Sequence, residues 1–174
     1  MSHTCKIRLG ELNDAPAIAQ VHVASWRSAY RPLFPESVLA ALSIADLEAK
    51  WKESIVAGTS RVFVAEADGA VIGFLEFGPS RDDDAPTGTY EILALYVDPN
   101  FWCRGSGRAL CRGCISAAAA LGANTLSLWT LVDNGAARRF YRTVGFSEQS
   151  GVKRPYVRGG VSLEQVRYVR TIAR

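Results

Sequence analysis

The chain has 174 residues, 48% hydrophobic and 21% charged, a size and composition suited to one globular domain that buries its own core. A formal net charge of only +3, spread along the chain, makes no case for a nucleic-acid partner. No apolar run approaches the roughly 18–20 residues of a membrane-spanning helix, so no membrane partner is expected either. The opening residues MSHTCK contain no apolar signal segment, so a cytoplasmic location is expected, with Cys5, Cys103, Cys111 and Cys114 as reduced thiols.

Residues 5–9 alternate like a short strand. Asn13-Asp14 then offers an N-cap, with Pro16 in the first turn of a helix running to about Tyr30. Ile18, Val21, His22 and Ser25 share one face, which reads His22 as a packed or solvated helix residue rather than a catalyst. Pro32 and Pro35 break this helix. A second helical stretch covers 35–58 and is interrupted near Ser43, which can cap its second half. The period then changes. Residues 61–66 and 71–77 read as strands joined by a tight Asp68-Gly69 turn. Residues 79–88 form a polar loop with three successive aspartates, read as solvated. Residues 90–97 are a largely apolar strand ended by Asp98-Pro99.

An Ala-rich helix follows over 105–121, stopped by Gly122. Cys111 and Cys114 fall inside it as buried small side chains; the only histidines, His3 and His22, are distant in sequence, and no metal is expected. Residues 125–131 are a strand and 135–143 a short helix. Two closing strands, from 146 onward and over 162–171, surround a loop holding Arg154, Pro155 and Tyr156. The order predicts one mixed α/β domain over residues 1–174, built on a single sheet with antiparallel hairpins first and a βαβ crossover later.

That crossover contains Trp102-Cys103-Arg104-Gly105-Ser106-Gly107-Arg108-Ala109 between a strand and a helix. Free N–H groups and the helix dipole at such a position attract an anion, and glycines let a phosphate approach the backbone. Arg104, Arg108 and Arg112 recur every four residues and can set charge beside more than one phosphate. A structural turn with a solvated arginine face is the alternative. A dinucleotide fingerprint needs a glycine where Leu110 stands, and a P-loop needs Gly-Lys-Ser/Thr; both spellings fail.

Three blocks together resemble the GNAT superfamily of acetyltransferases: Leu95-Tyr-Val-Asp-Pro99, Arg104-Gly-Ser-Gly-Arg-Ala-Leu110, and Asn134-x-x-Ala137-x-x-Phe140-Tyr141-x-x-x-Gly145-Phe146. The resemblance implies a mostly antiparallel twisted sheet of six to seven strands, flanked by about four helices and splayed between the fourth and fifth strands. Acetyl-CoA would occupy the gap. Main-chain groups of Leu95, Tyr96 and Val97 would pair with the pantetheine arm. Amides from Cys103 through Arg104, Gly105, Ser106, Gly107 and Arg108 to Ala109 would hold the pyrophosphate. Asn134 would contact the cofactor and Tyr141 would point at its sulfur. Trp102 stands where the family's motif opens with Gln or Arg, and could cover the adenine or pack. The resemblance also implies pairing into a homodimer.

Acetyl transfer to an amine sets its own demands. An amine of pKa near 10.4 is neutral about once in a few thousand molecules at pH 7, a cost of roughly 4.6 kcal/mol, so its proton must be removed. Glu91, which interrupts an apolar strand, is the first candidate base, with Glu76 in reserve; an exposed strand-end carboxylate is the alternative. The Tyr141 phenol, of ordinary pKa near 10, suits protonation of a departing thiolate. The expected acceptor is a primary amine on a small molecule, peptide or protein. Trp26, Tyr30, Phe34, Trp129 and Tyr156 could wall its site, and Glu91, Glu76 and Asp82–Asp84 could attract it. A protein that binds acyl-CoA without turnover is the competing class.

Overall fold

A computed structural model describes residues 5–172; residues 1–4, which include His3, and 173–174 lie outside the described residues. In chain order the elements are β1 (Lys6–Leu9), α1 (Ala15–Ala29), α2 (Glu36–Ala40), α3 (Ile44–Ala57), β2 (Arg61–Ala67), β3 (Ala70–Pro79), β4 (Thr89–Val97), α4 (Ser106–Ala120), β5 (Thr125–Leu131), α5 (Gly135–Thr143), β6 (Ser147–Arg158) and β7 (Val161–Thr171). The strands form one seven-stranded sheet in the order β1-β2-β3-β4-β5-β7-β6. All neighbours are antiparallel except β4 and β5, which run parallel because α4 crosses between them. This is the mixed α/β architecture expected, with five flanking helices rather than four.

Local chemistry accounts for the main boundaries. Asp68 and Gly69 both take positive φ, 50° and 78°, which matches the twist of a two-residue hairpin between β2 and β3. The Ser43 hydroxyl accepts the Asp46 N–H at 3.2 Å and starts α3. One expectation fails at the C-terminal end. Arg154, Pro155 and Tyr156 lie inside β6, paired with Gln165, Glu164 and Leu163, and not in a loop. Proline is tolerated there because β6 is an edge strand, whose outer side needs no ladder donor.

Two faces of the sheet are packed differently. On the back face, Leu110, Cys111, Cys114 and Ala118 of α4 pack against Ile92, Leu126, Leu128 and Tyr168. Both thiols are fully buried, and burial pushes Cys111 up to about 12, so the pair packs as small core side chains. Among the described residues no cluster of His, Cys, Asp and Glu could hold a metal ion, and no helix is long and apolar enough to cross a membrane. On the front face, Ile18, Val21 and Trp51 from α1 and α3 pack against Val62, Val64 and Phe74.

His22 sits in this front core, stacked on Tyr96 with ring centroids 4.8 Å apart, and its Nδ1 accepts the Trp51 indole N–H at 3.3 Å. Burial first, then the positive charges of Lys50 and Arg158, lowers its pKa to about 4. A histidine depressed in the fold contributes fully above its unfolded value near 6.5 and loses that contribution as pH falls toward 4. Between pH 7 and pH 5 this residue alone should cost about 2 kcal/mol of stability. Urea unfolding at the two pH values measures the loss, and an equal loss in His22→Gln would assign it elsewhere.

Candidate active site

The parallel ladder between β4 and β5 runs only from Thr89/Thr125 to Ile92/Leu128. Beyond it β4 continues to Val97 and β5 to Leu131 without pairing to each other. The cause lies on β4. Ala94 opposes Glu76 and Ile92 opposes Phe77, so Leu93 is an extra residue, and such a bulge bends its strand away from a neighbour. A cleft of about 550 Å³ opens from this point, lined by residues of both sheet faces, from Tyr30 just past α1 to Phe140 of α5.

The β4 wall has a definite polarity. Asp98 N–H donates to Ile72 C=O, and Tyr96 lies opposite Phe74 two residues earlier. Antiparallel alternation then turns the main-chain groups of Tyr96 toward β3 and those of Leu95 and Val97 toward the gap. The three consecutive main-chain contacts implied by the resemblance therefore reduce to two residues; Tyr96 offers the cleft its side chain instead. The Val97 carbonyl is already occupied, accepting the Ser25 hydroxyl at 2.6 Å and the Trp102 indole N–H at 2.7 Å. Trp102 thus ties the end of β4 to the Gly-rich turn, and its ring also lines the cleft. The Ser25 contact spans 72 positions in sequence, and no local pattern could have announced it.

At the base of the cleft, α4 begins without a side-chain cap. Gly105 takes φ 93° with open space around its Cβ position, so its backbone conformation is what requires glycine. At Gly107 a Cβ would meet the Phe140 ring at 3.2 Å, so this glycine lets α4 approach α5. The first helical bond is made by Ala109 N–H to Gly105, which leaves the N–H groups of Ser106, Gly107 and Arg108 outside the helical ladder. Cys103, Gly105, Ser106, Gly107 and Arg108 line the cleft. Arg104 lies over the Phe101 ring at 5.3 Å, and Arg104, Arg108 and Arg112 are exposed.

At the other end three phenols converge. Tyr30, Tyr96 and Tyr141 all line the cleft with Asn134 and Thr130. Asn134 caps α5, its Oδ1 accepting the Ala137 N–H at 3.1 Å. Burial pushes the Tyr141 phenol far above its ordinary value near 10, and the neighbouring Cys111 and Tyr30 act in the same direction. That hydroxyl stays protonated across the working pH range. Burial also raises Tyr30, whose phenol is influenced by the adjoining Tyr96 and Asn134 side chains.

The carboxylates are placed differently from expectation. Glu91 is buried one residue before the strands part and does not line the cleft. Its oxygens accept the Arg81 main-chain N–H at 3.1 Å and the Arg81 guanidinium at 3.2 Å. Glu76 accepts the hydroxyls of Ser54 and Ser60, each at 2.7 Å, and does not line the cleft either. The aspartate loop is not simply solvated. Asp82 accepts the Trp129 indole N–H at 3.0 Å and pairs with Arg154 and Arg167 at 3.4 and 3.2 Å. Asp84 takes two bonds of 2.6 Å from Arg167. A run of three aspartates reads as solvated because nothing local shows the arginines, 72 to 85 positions away, that receive it.

Comparison with known proteins agrees with this architecture. The family model described as "Acetyltransferase (GNAT) family" matches residues 23–146. An N-acetyltransferase called YuaI from Bacillus subtilis, itself uncharacterized, is 31% identical over 161 residues, which is 92% of this chain and 89% of that one. The crystal structure of PaiA N-acetyltransferase from Thermoplasma acidophilum in complex with coenzyme A superposes with a TM-score of 0.76 at 20% identity, covering 97% of this chain and 99% of that one. Ribosomal-protein-alanine N-acetyltransferase from Brucella melitensis gives 0.75 at 24% identity, covering 95% and 99%.

Proposed function

Because this chain belongs to the GNAT acetyltransferase family, we propose that it is a single-domain enzyme carrying an acetyl group from acetyl-CoA to a primary amine by direct attack in a ternary complex. The observation that carries this reading is the parting of β4 and β5 after Ile92 and Leu128, which opens a cleft of about 550 Å³ between an uncapped helix start and the Tyr141 phenol. The groups present fit the co-substrate. Main-chain groups of Leu95 and the Val97 N–H would take the pantetheine arm as an added strand. The amides of Ser106, Gly107 and Arg108 would take the pyrophosphate at the start of α4. One structural neighbour was crystallised with coenzyme A.

In the reaction, the amine nitrogen forms a bond to the acetyl carbon and the carbon–sulfur bond breaks. The Tyr141 O–H donates to the leaving sulfur, a role that suits a phenol held protonated by burial. Glu91, outside the cleft lining and with its oxygens engaged by Arg81, would receive the amine proton only through intervening water. One structural neighbour is named for a ribosomal protein, so peptide amines belong in the acceptor panel beside small-molecule ones.

Two assays test the reading in sequence. Acetyl-CoA should raise the melting temperature in a saturable way, as expected for a ligand that binds only the folded state. Thiol release with an amine panel should then exceed release without amine. Binding without release would indicate an acyl-CoA-binding protein that does not turn over.

A further inference from the structure

On the front face, β6 presents Arg154, Tyr156 and Arg158 side by side, as alternation along a strand requires. Each meets an aromatic of the acceptor side: Arg154 lies over the Trp129 ring at 4.1 Å, Tyr156 meets Phe34 at 6.4 Å, and Arg158 lies over the Trp26 ring at 4.4 Å. Trp129 lines the cleft directly. Trp26 is in ring contact, at 4.5 Å, with Tyr30, which lines the opposite wall. Four positions separate Arg154 from Arg158, which sets them about 13 Å apart along the strand, one over Trp129 and the other over Trp26.

Three nearby carboxylates are already paired. Glu91 is held by Arg81, Asp84 by Arg167, and Asp82 by Arg154 and Arg167 together. Arg154 spends further donors on Gln165 at 2.9 Å. Arg158 is the exception. Among the described residues it has no carboxylate partner, only the Trp26 ring. A half-buried guanidinium stacked on an indole keeps its in-plane N–H fork available, and that fork matches a carboxylate. An acceptor whose remaining charges are positive would be repelled by Arg158.

Resting on the acetyl-transfer reading above, we propose that the acceptor is a small amine bearing a carboxylate, and that Arg158 selects for that group. Arg158 is a specificity residue here; the reacting nitrogen would lie deeper, beyond the Tyr30 and Trp129 walls.

The test uses the full chain, acetyl-CoA and matched acceptors: glycine against glycinamide, and 4-aminobutyrate against 1,4-diaminobutane, read by initial rates of thiol release. The acid of at least one pair should exceed its partner in kcat/KM by ten-fold or more. In Arg158→Gln that ratio should collapse toward one, chiefly through KM for the acid, and Arg158→Lys should restore part of it. A melting-temperature rise with acetyl-CoA equal to wild type establishes that the variants fold and keep the co-substrate site. Preference for the amide or diamine, or an equal fall for both members of a pair, would overturn the selectivity while leaving acetyl transfer in place. Release from no amine at all, with acetyl-CoA binding intact, would overturn both.

Discussion

Replacing Tyr141 by Phe should lower kcat by ten-fold or more while leaving the KM for acetyl-CoA nearly unchanged, as removal of a transition-state proton donor does. The substitution is conservative in shape. Tyr141 is 9% exposed and packs edge-on against Phe140 at 5.4 Å and Phe146 at 6.0 Å, contacts that a phenyl ring keeps. Because burial holds the phenol far above its ordinary value, the loss should be the same in neutral and mildly alkaline buffer. An alkaline limb in the wild-type rate should therefore survive in the variant. Steady-state kinetics across pH measures both features. Wild-type turnover in Tyr141→Phe would remove this residue from the chemistry, and a vanished alkaline limb would show that the phenol titrates after all.

How far the sequence anticipates the structure depends on how local each signal is. The Asp68-Gly69 hairpin, the Ser43 cap and the helix start at Gly105-Ser106-Gly107 depend on residues within a few positions of one another, and all three are legible. The family resemblance adds the splay of β4 from β5, which composition and periodicity alone do not contain. What escapes is every arrangement made across the sheet. The Leu93 bulge is defined by the register against β3, and the pointing of Leu95 and Val97 into the gap follows from the same register. Glu91 interrupts an apolar strand, which makes it conspicuous as a candidate base. Its engagement by Arg81 depends on how the 79–88 loop folds back.

The same contrast explains Trp102 and Tyr156. Trp102 replaces a polar residue of the family motif, and its indole supplies a donor of its own to the Val97 carbonyl, which joins the strand end to the phosphate turn. Tyr156 beside Pro155 reads as loop, because proline interrupts most strands; only the position of β6 at the sheet edge permits it. Once in a strand, residues 154, 156 and 158 must share a face, and that is how two arginines come to lie over Trp129 and Trp26.

The largest effect on stability is expected at Arg167, the centre of the network that pins the aspartate loop to the sheet. Its side chain is 7% exposed and meets Asp82 at 3.2 Å, Asp84 at 2.6 Å, Gln149 at 2.8 Å and the Trp129 ring at 5.5 Å. Arg167→Met keeps an unbranched stem against Trp129 but strands Asp82, whose side chain is only 8% exposed. Removing one partner of a buried pair costs about 3–5 kcal/mol, because the remaining charge is left desolvated. Arg154, 3.4 Å from Asp82 on its other side, would offset part of this, so a loss near the lower end of that range is expected in urea unfolding. Asp83→Asn, one position away at an exposed residue, is the control and should change little. The double variant Arg167→Met/Asp82→Asn should recover part of the loss, since it removes the stranded charge together with its partner. If Arg167→Met is no more destabilising than the control, the network does not hold the loop, and the front wall of the cleft must be held by the hydrophobic contacts of Tyr156 and Leu163 with α1 and α2.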